Sequence, residues 1–198
     1  EIIPSTHTTP HSIAIQENLA LMVEKGCEFC FMEASSHAIV QKRMAGLELD
    51  VAGFTNLSHD HLDYHKTFAE YRDAKKLLFD LMPSTGACIS NKDDKNGKYM
   101  LQNTMASRYF YGIKSPADFK AKILEMDMAG MHLEINNQEA WFPITGEFNA
   151  SNLLLIYSIA FILGEQHEHI ITTLSKVGKV PGRFEIIQSP KGKITGIV

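Results

Sequence analysis

Between residues 59 and 65 the chain reads HDHLDYH, which places three histidines and two aspartates in one short stretch. Imidazole nitrogens and carboxylates are donors to divalent cations, so His59, Asp60, His61, Asp63 and His65 form a candidate metal site. Glu33, in CEFCFMEASSH, is a second polar group placed directly after an apolar run. Lys75 is a third candidate. It falls among Phe68, Tyr71, Leu78, Phe79 and Met82, which are spaced as on one face of a helix. Lys76 is turned about 100° away from that stripe. An ammonium aimed at a core is costly unless it is paired or chemically altered. The plain alternative is that its stem lies along the apolar face and its head reaches solvent. For the histidine-rich stretch the plain alternative is a solvated loop that caps the following helix.

The elements that must position these groups follow from periodicity and turn signals. Apolar runs at Glu28–Met32, ending on Glu33, and at Asp50–Leu57 predict two strands. Thr67 opens a helix as its cap, with Glu70 three residues on. Ser12 is the predicted cap of an earlier helix running to about Lys25, with Leu19, Met22 and Val23 on one face and Gly26 as its stop. A helical turn is predicted around His37–Ala45, and further strands at Gly86–Asn91 and Ser107–Tyr111. Lys120–Met128, Met131–Asn136 and Ala140–Ile144 read as three antiparallel strands, turning at Ala129-Gly130 and Asn136–Glu139. Helices follow at Asn149–Leu163, stopped by Gly164, and at His167–Val177; Pro181-Gly182-Arg183 reads as a loop and ITGIV as strand-like. The fold class is therefore α/β: a mostly parallel sheet with flanking helices, plus a small antiparallel three-stranded annex. Ligands of open parallel sheets bind beyond the carboxyl ends of the strands, which is where Glu33 and the histidine-rich stretch both fall.

Composition narrows the function classes. At 198 residues with 44% apolar and 21% charged residues, the chain can build a sizeable core. A net charge of -4 carries no electrostatic footprint for nucleic acid. No apolar run reaches the roughly 20 residues that span a bilayer, so membrane insertion is not expected. Cys27 and Cys30 form C-x-x-C, but on a strand such positions point to opposite faces, so they are expected to be packing residues and not a redox pair. Three unpaired cysteines fit a reducing, cytoplasmic compartment.

Several separated segments, MEASSHAIVQKR, FTNLSHDHLDYHKT and AEYRDAKKLLF, resemble in this order the central domain of the Mur ligase family. HTTP near the start, GEFNASNLL, and PGRFE near the end extend the resemblance over nearly the whole chain. It is strongest to the branch that adds the third amino acid of the peptidoglycan precursor. The resemblance implies a cytoplasmic ligase with ATP as a substrate and Mg2+ as cofactor. ATP phosphorylates the terminal carboxylate of UDP-MurNAc-L-Ala-D-Glu, and the incoming amine attacks the acyl phosphate through a tetrahedral intermediate to form an amide. Small molecules are thus the expected partners: the UDP-MurNAc-dipeptide and an amino acid, whether meso-diaminopimelate, L-lysine or another. By motif position, Glu33, His61 and a carbamylated Lys75 resemble the magnesium ligands. Thr8, Thr9, Ser35, Gln41 and Arg43 match positions that hold the UDP-MurNAc-dipeptide, while Asn149, Asn152 and Arg183 match positions on the nucleotide side. His59, Asp63 and His65 are left as supporting or loop residues. Each has a plainer role open to it: turn formers for the threonines, caps for Ser35 and Asn149, a surface charge for Arg43. His7 and His59 depart from the family pattern, which has Asn and commonly Arg there.

HDHLDYH also resembles the H-x-H-x-D-H zinc motif of metallo-β-lactamase-like hydrolases, with Tyr64 inserted before the last histidine. A metal-dependent hydrolase is therefore a competing reading, and a non-catalytic chain that retains the fold is a third. Magnesium dependence favours the ligase, and tight zinc with a bound water the hydrolase.

No G-x-x-x-x-G-K-[ST] occurs in these 198 residues. The resemblance places that phosphate cradle upstream of residue 1, with a uridine-binding domain before it and a further amino-acid-selecting domain after ITGIV. Residues 1–198 are accordingly expected to be a partial central domain, inactive by themselves. Incubating the isolated chain with ATP, magnesium, UDP-MurNAc-dipeptide and diaminopimelate should yield no tripeptide by mass spectrometry; any ATP-dependent product overturns that expectation.

Overall fold

Residues 7–58, 64–178, 186–188 and 195–197 are described by the computed structural model. Its centre is a six-stranded sheet in simple sequence order. Strands β1 (Val51–Phe54), β2 (Ala87–Asn91) and β3 (Ser107–Gly112) run parallel, and the start of β4 (Phe119–Met126) joins them in the same sense. From Ala121 onward β4 pairs antiparallel with β5 (Met131–Ile135), which pairs in turn with β6 (Gln138–Phe142). The hairpin between β5 and β6 turns on Asn136 and Asn137, both at positive φ, the conformation that a tight two-residue hairpin demands. The predicted parallel sheet and three-stranded annex are both present.

β2 is buried at all of its positions, because helices cover both faces. One face packs on α5 (Glu147–Ile162) and α6 (His167–Leu174), with Ile89, Tyr111, Leu133, Leu154 and Tyr157 in the shared core. The other face packs on α3 (Phe68–Asp80) and the short α4 (Gly97–Met100), with Ala52, Phe54, Phe79, Cys88 and Met100 between them. Adjacent residues Cys88 and Ile89 thus enter different cores, as strand alternation requires. β5 buries alternate residues only, having helices on one side. A separate antiparallel pair, β7 (Ile186–Gln188) with β8 (Thr195–Ile197), involves the ITGIV segment; β7 has no counterpart in the sequence reading.

Four local expectations need correction. Glu28–Met32 forms no strand: a strand needs a ladder, and among the described residues nothing pairs with this segment. Cys27 and Cys30 are consequently exposed and are not packing residues, and Phe31 is 75% exposed. The first helix, α1 (Ser12–Glu24), is capped by His11, whose ring accepts from the Ala14 amide, and not by Ser12. It buries Ile15 and leaves Val23 73% exposed, so the predicted Leu19–Met22–Val23 face is not a core face. Gly26, at φ +77, does end the helix.

α4 begins hard against the end of β2. The Ser90 hydroxyl donates to the Gly97 carbonyl at 2.8 Å, and a Cβ at Gly97 would lie 1.8 Å from the Asn91 carbonyl oxygen. Backbone cannot yield as a side chain would, so Gly97→Ala should cost roughly 1–3 kcal/mol in urea denaturation. An unchanged midpoint would show that α4 moves away freely.

Candidate active site

The site is assembled by one buried hydroxyl. Thr9, 1% exposed, donates from Oγ1 to the Glu33 carbonyl at 2.8 Å and accepts from the Ser35 amide at 3.2 Å. The loop before α1 is thereby pinned to the irregular segment that carries Glu33. Arg43 completes the arrangement: Nη1 donates to the Thr9 carbonyl at 2.7 Å and Nε to Gln41 Oε1 at 2.9 Å. Four of the five predicted dipeptide-binding residues, Thr9, Ser35, Gln41 and Arg43, therefore meet in one hydrogen-bonded group. Thr8 sits exposed at its rim. Ser35 also accepts from the Ala38 amide as the cap of α2 (Ser36–Val40), so the plain role anticipated for it is real.

α2 packs on α3, which brings Lys75 toward Glu33. Burial pushes the Lys75 ammonium below its ordinary range, and the Glu33 carboxylate acts in the opposite sense. Its Nζ lies 5.3 Å from the Tyr71 ring centroid. The helical stripe needs one amendment: Lys76, only 4% exposed, is buried more deeply than half-buried Lys75. Lys76 is accommodated because it pairs with Asp80 one turn on and lies over the Tyr99 ring, against which Arg72 also stacks.

His61, with His59, Asp60 and Asp63, lies outside the described residues, as does Arg183. Among the described residues no group of three or more His, Cys, Asp or Glu is drawn together for a metal. The donor chemistry of Glu33 and Lys75 bears on magnesium directly. An ammonium beside Glu33 competes with a dication, whereas a carbamate on the same nitrogen replaces it with oxygens of the kind magnesium prefers.

On the nucleotide side, Asn149 lies inside α5, whose first residue follows Gly146 at φ +103. Asn149 is thus not the helix cap; its Nδ2 donates to the Thr145 carbonyl at 2.7 Å, and half-buried Asn152 follows three residues later on the same face. Asn91, at the end of β2, was not singled out by sequence. Its Nδ2 donates to the Thr55 carbonyl at 2.9 Å and lies 3.4 Å from Ser151 Oγ, while Oδ1 accepts from the Asp93 amide. It therefore ties the exit of β1 to the start of α5. The one available signal was an amide side chain closing an apolar strand.

Comparison with known proteins bears on this arrangement. The profile described as Mur ligase middle domain matches residues 1–160. A UDP-N-acetylmuramoyl-L-alanyl-D-glutamate--2,6-diaminopimelate ligase of Cytophaga hutchinsonii is 48% identical over 185 residues, covering 93% of this chain and 38% of that protein. The protein of the same description from Bacteroides thetaiotaomicron is 47% identical over 196 residues, 99% of this chain and 40% of its own length. The chain therefore spans about two fifths of these relatives. In solved structures, MurF from Acinetobacter baumannii superposes with a TM-score of 0.65 at 20% identity, covering 72% of this chain and 32% of that one. MurC from Thermotoga maritima gives 0.60 at 18%, covering 76% and 34%. At such identities these two attest the fold alone.

Thr9→Val keeps the shape of the side chain but removes the donor to Glu33 and leaves the Ser35 amide without its acceptor. It should lower stability by roughly 1–3 kcal/mol in urea denaturation, whereas Thr9→Ser should cost less. Equal stability of Thr9→Val and wild type would deny the hydroxyl its organising role.

Proposed function

This chain belongs to the Mur ligase family, and we propose that the protein carrying it is an ATP-dependent amide-forming ligase of peptidoglycan synthesis. Its reaction adds the third amino acid to UDP-MurNAc-L-Ala-D-Glu, with 2,6-diaminopimelate the residue suggested by the names of its relatives. The observation that carries this reading is the hydrogen-bonded group of Thr9, Glu33, Ser35, Gln41 and Arg43, set beside Lys75. The hydrolase reading fares worse, because the family profile and the similar sequences are those of Mur ligases.

In the proposed reaction an oxygen of the substrate carboxylate attacks the γ-phosphorus of ATP and ADP departs. The amine nitrogen of the incoming amino acid then attacks the acyl carbon; phosphate leaves and the amine loses its proton. Both partners of the first step are anionic, so the site must hold cations and exclude competing water. Magnesium, held by Glu33, His61 and the carbamate of Lys75, would supply that compensation. The chain's own part is orientation. Arg43 and Gln41 present a cation and an amide beside Thr8 and Ser35 for the peptide end, and Asn149, Asn152 and Arg183 serve the nucleotide end. Lys75 is suited to carbamylation because burial favours its neutral amine. The nitrogen attacks carbon dioxide, a C–N bond forms, and the proton passes to solvent. Among the described residues no helix is long and apolar enough to cross a membrane. A reducing cytoplasm suits the three free cysteines.

Intact-mass and peptide analysis of the full-length protein in bicarbonate near neutral pH should show Lys75 heavier by one carbon dioxide. The gain should vanish in acid, where the amine is protonated and the carbamate decomposes. Lys75→Met should lower ligase turnover by roughly 10²–10³-fold. An active full-length protein with Lys75 unmodified would remove the carbamate from the mechanism.

A further inference from the structure

We infer that His65 is a positioning residue that holds two segments carrying proposed metal ligands, those of Glu33 and Lys75, in register. This deepens the ligase reading and rests on it. Glu33 comes from the segment before α2 and Lys75 from α3. One buried side chain bridges α2 and α3. His65 is 5% exposed, and its Nε2 shares a hydrogen bond of 2.9 Å with the hydroxyl of Ser36, itself 1% exposed. Ser36 is the first residue of α2 and lies three residues after Glu33. On its other side the His65 ring meets Tyr71 of α3 at 5.4 Å between centroids, and Tyr71 is the ring over which Lys75 Nζ lies. Tyr64 meets His65 edge-on at 4.8 Å and His37 at 3.9 Å, closing the cluster back onto α2.

A buried hydrogen bond between two side chains 29 residues apart is directional in a way that ring packing is not. Ring contacts keep α2 and α3 together; the Ser36–His65 bond selects where along each other they stop. Its loss should therefore act on the shared site more than on the fold.

Stability and positioning separate in the variant that removes both partners of the bond. In the full-length protein, His65→Phe and Ser36→Ala each leave a buried polar group without its partner and should lower Tm. The double variant replaces both by apolar groups and should recover most of that loss. If His65 positions ligands, the double variant still needs about tenfold more magnesium for half-maximal ATP-dependent ligation, with the KM for the amino acid little changed. It should also show less carbamate on Lys75 at a given bicarbonate concentration. A double variant with wild-type magnesium dependence overturns the inference, as does a magnesium shift that tracks Tm and disappears when Tm recovers. If the phenylalanine variants do not fold, Ser36→Ala alone decides, since it must still shift the magnesium requirement. Failure of the ligase reading looks different: the wild-type full-length protein would itself show no magnesium-dependent ligation.

Discussion

Everything in this molecule hangs on β2 being dry on both faces. A strand covered by helices on each side has no position at which a polar side chain can point to water, so polarity is displaced to its ends. At the carboxyl end that displacement is visible as Asn91, followed by a turn rich in Asp and Asn. The neighbouring β1 behaves alike, passing from Phe54 into a polar loop. Asn91 reaches across to the Thr55 carbonyl and toward Ser151, so both strand exits and the start of α5 share one side chain. The polar junction at the strand exits is thus a consequence of burial elsewhere.

Much of the fold was legible because the periodicities are strong. The parallel strands, the annex and both long helices follow from apolar runs and alternation, and their ends moved by only a few residues. The misses share a cause. Periodicity records how apolar a segment is, but not whether a neighbour exists to pair or pack with it. Glu28–Met32 has the composition of a strand and no ladder, and α1 has apolar residues with little to cover them. His11 as a cap was missed because the ring nitrogen substitutes for the more usual hydroxyl or carboxylate.

For the site, sequence found the participants better than their relations. Thr9, Ser35, Gln41 and Arg43 are separated by up to 34 positions, and only the fold shows that they share hydrogen bonds. The adjacent lysines of α3 are instructive. Periodicity alone aimed Lys75 inward and Lys76 away, yet Lys76 is the deeper of the two because Asp80 and the Tyr99 ring receive its charge. Helical phase sets the direction of a side chain; the availability of a counter-charge sets how deep it can go. Lys75 has its opposing charge on a different segment, which makes its state depend on tertiary structure and not on its own helix.

β4 belongs to two kinds of sheet at once, and this has a kinetic consequence. Toward β5 and β6 its pairings close short loops, the last turning on Asn136 and Asn137. Toward the other edge, β1 and β2 pair only after more than thirty intervening residues have been gathered into α3 and its approaches. Closure entropy grows with that separation, so the hairpin edge is favoured to form first and to offer β4 as a template. The exits of β1 and β2 are completed toward the end of that order. A full chain refolding from denaturant would then hold a formed annex while its β1–β2 edge is still open.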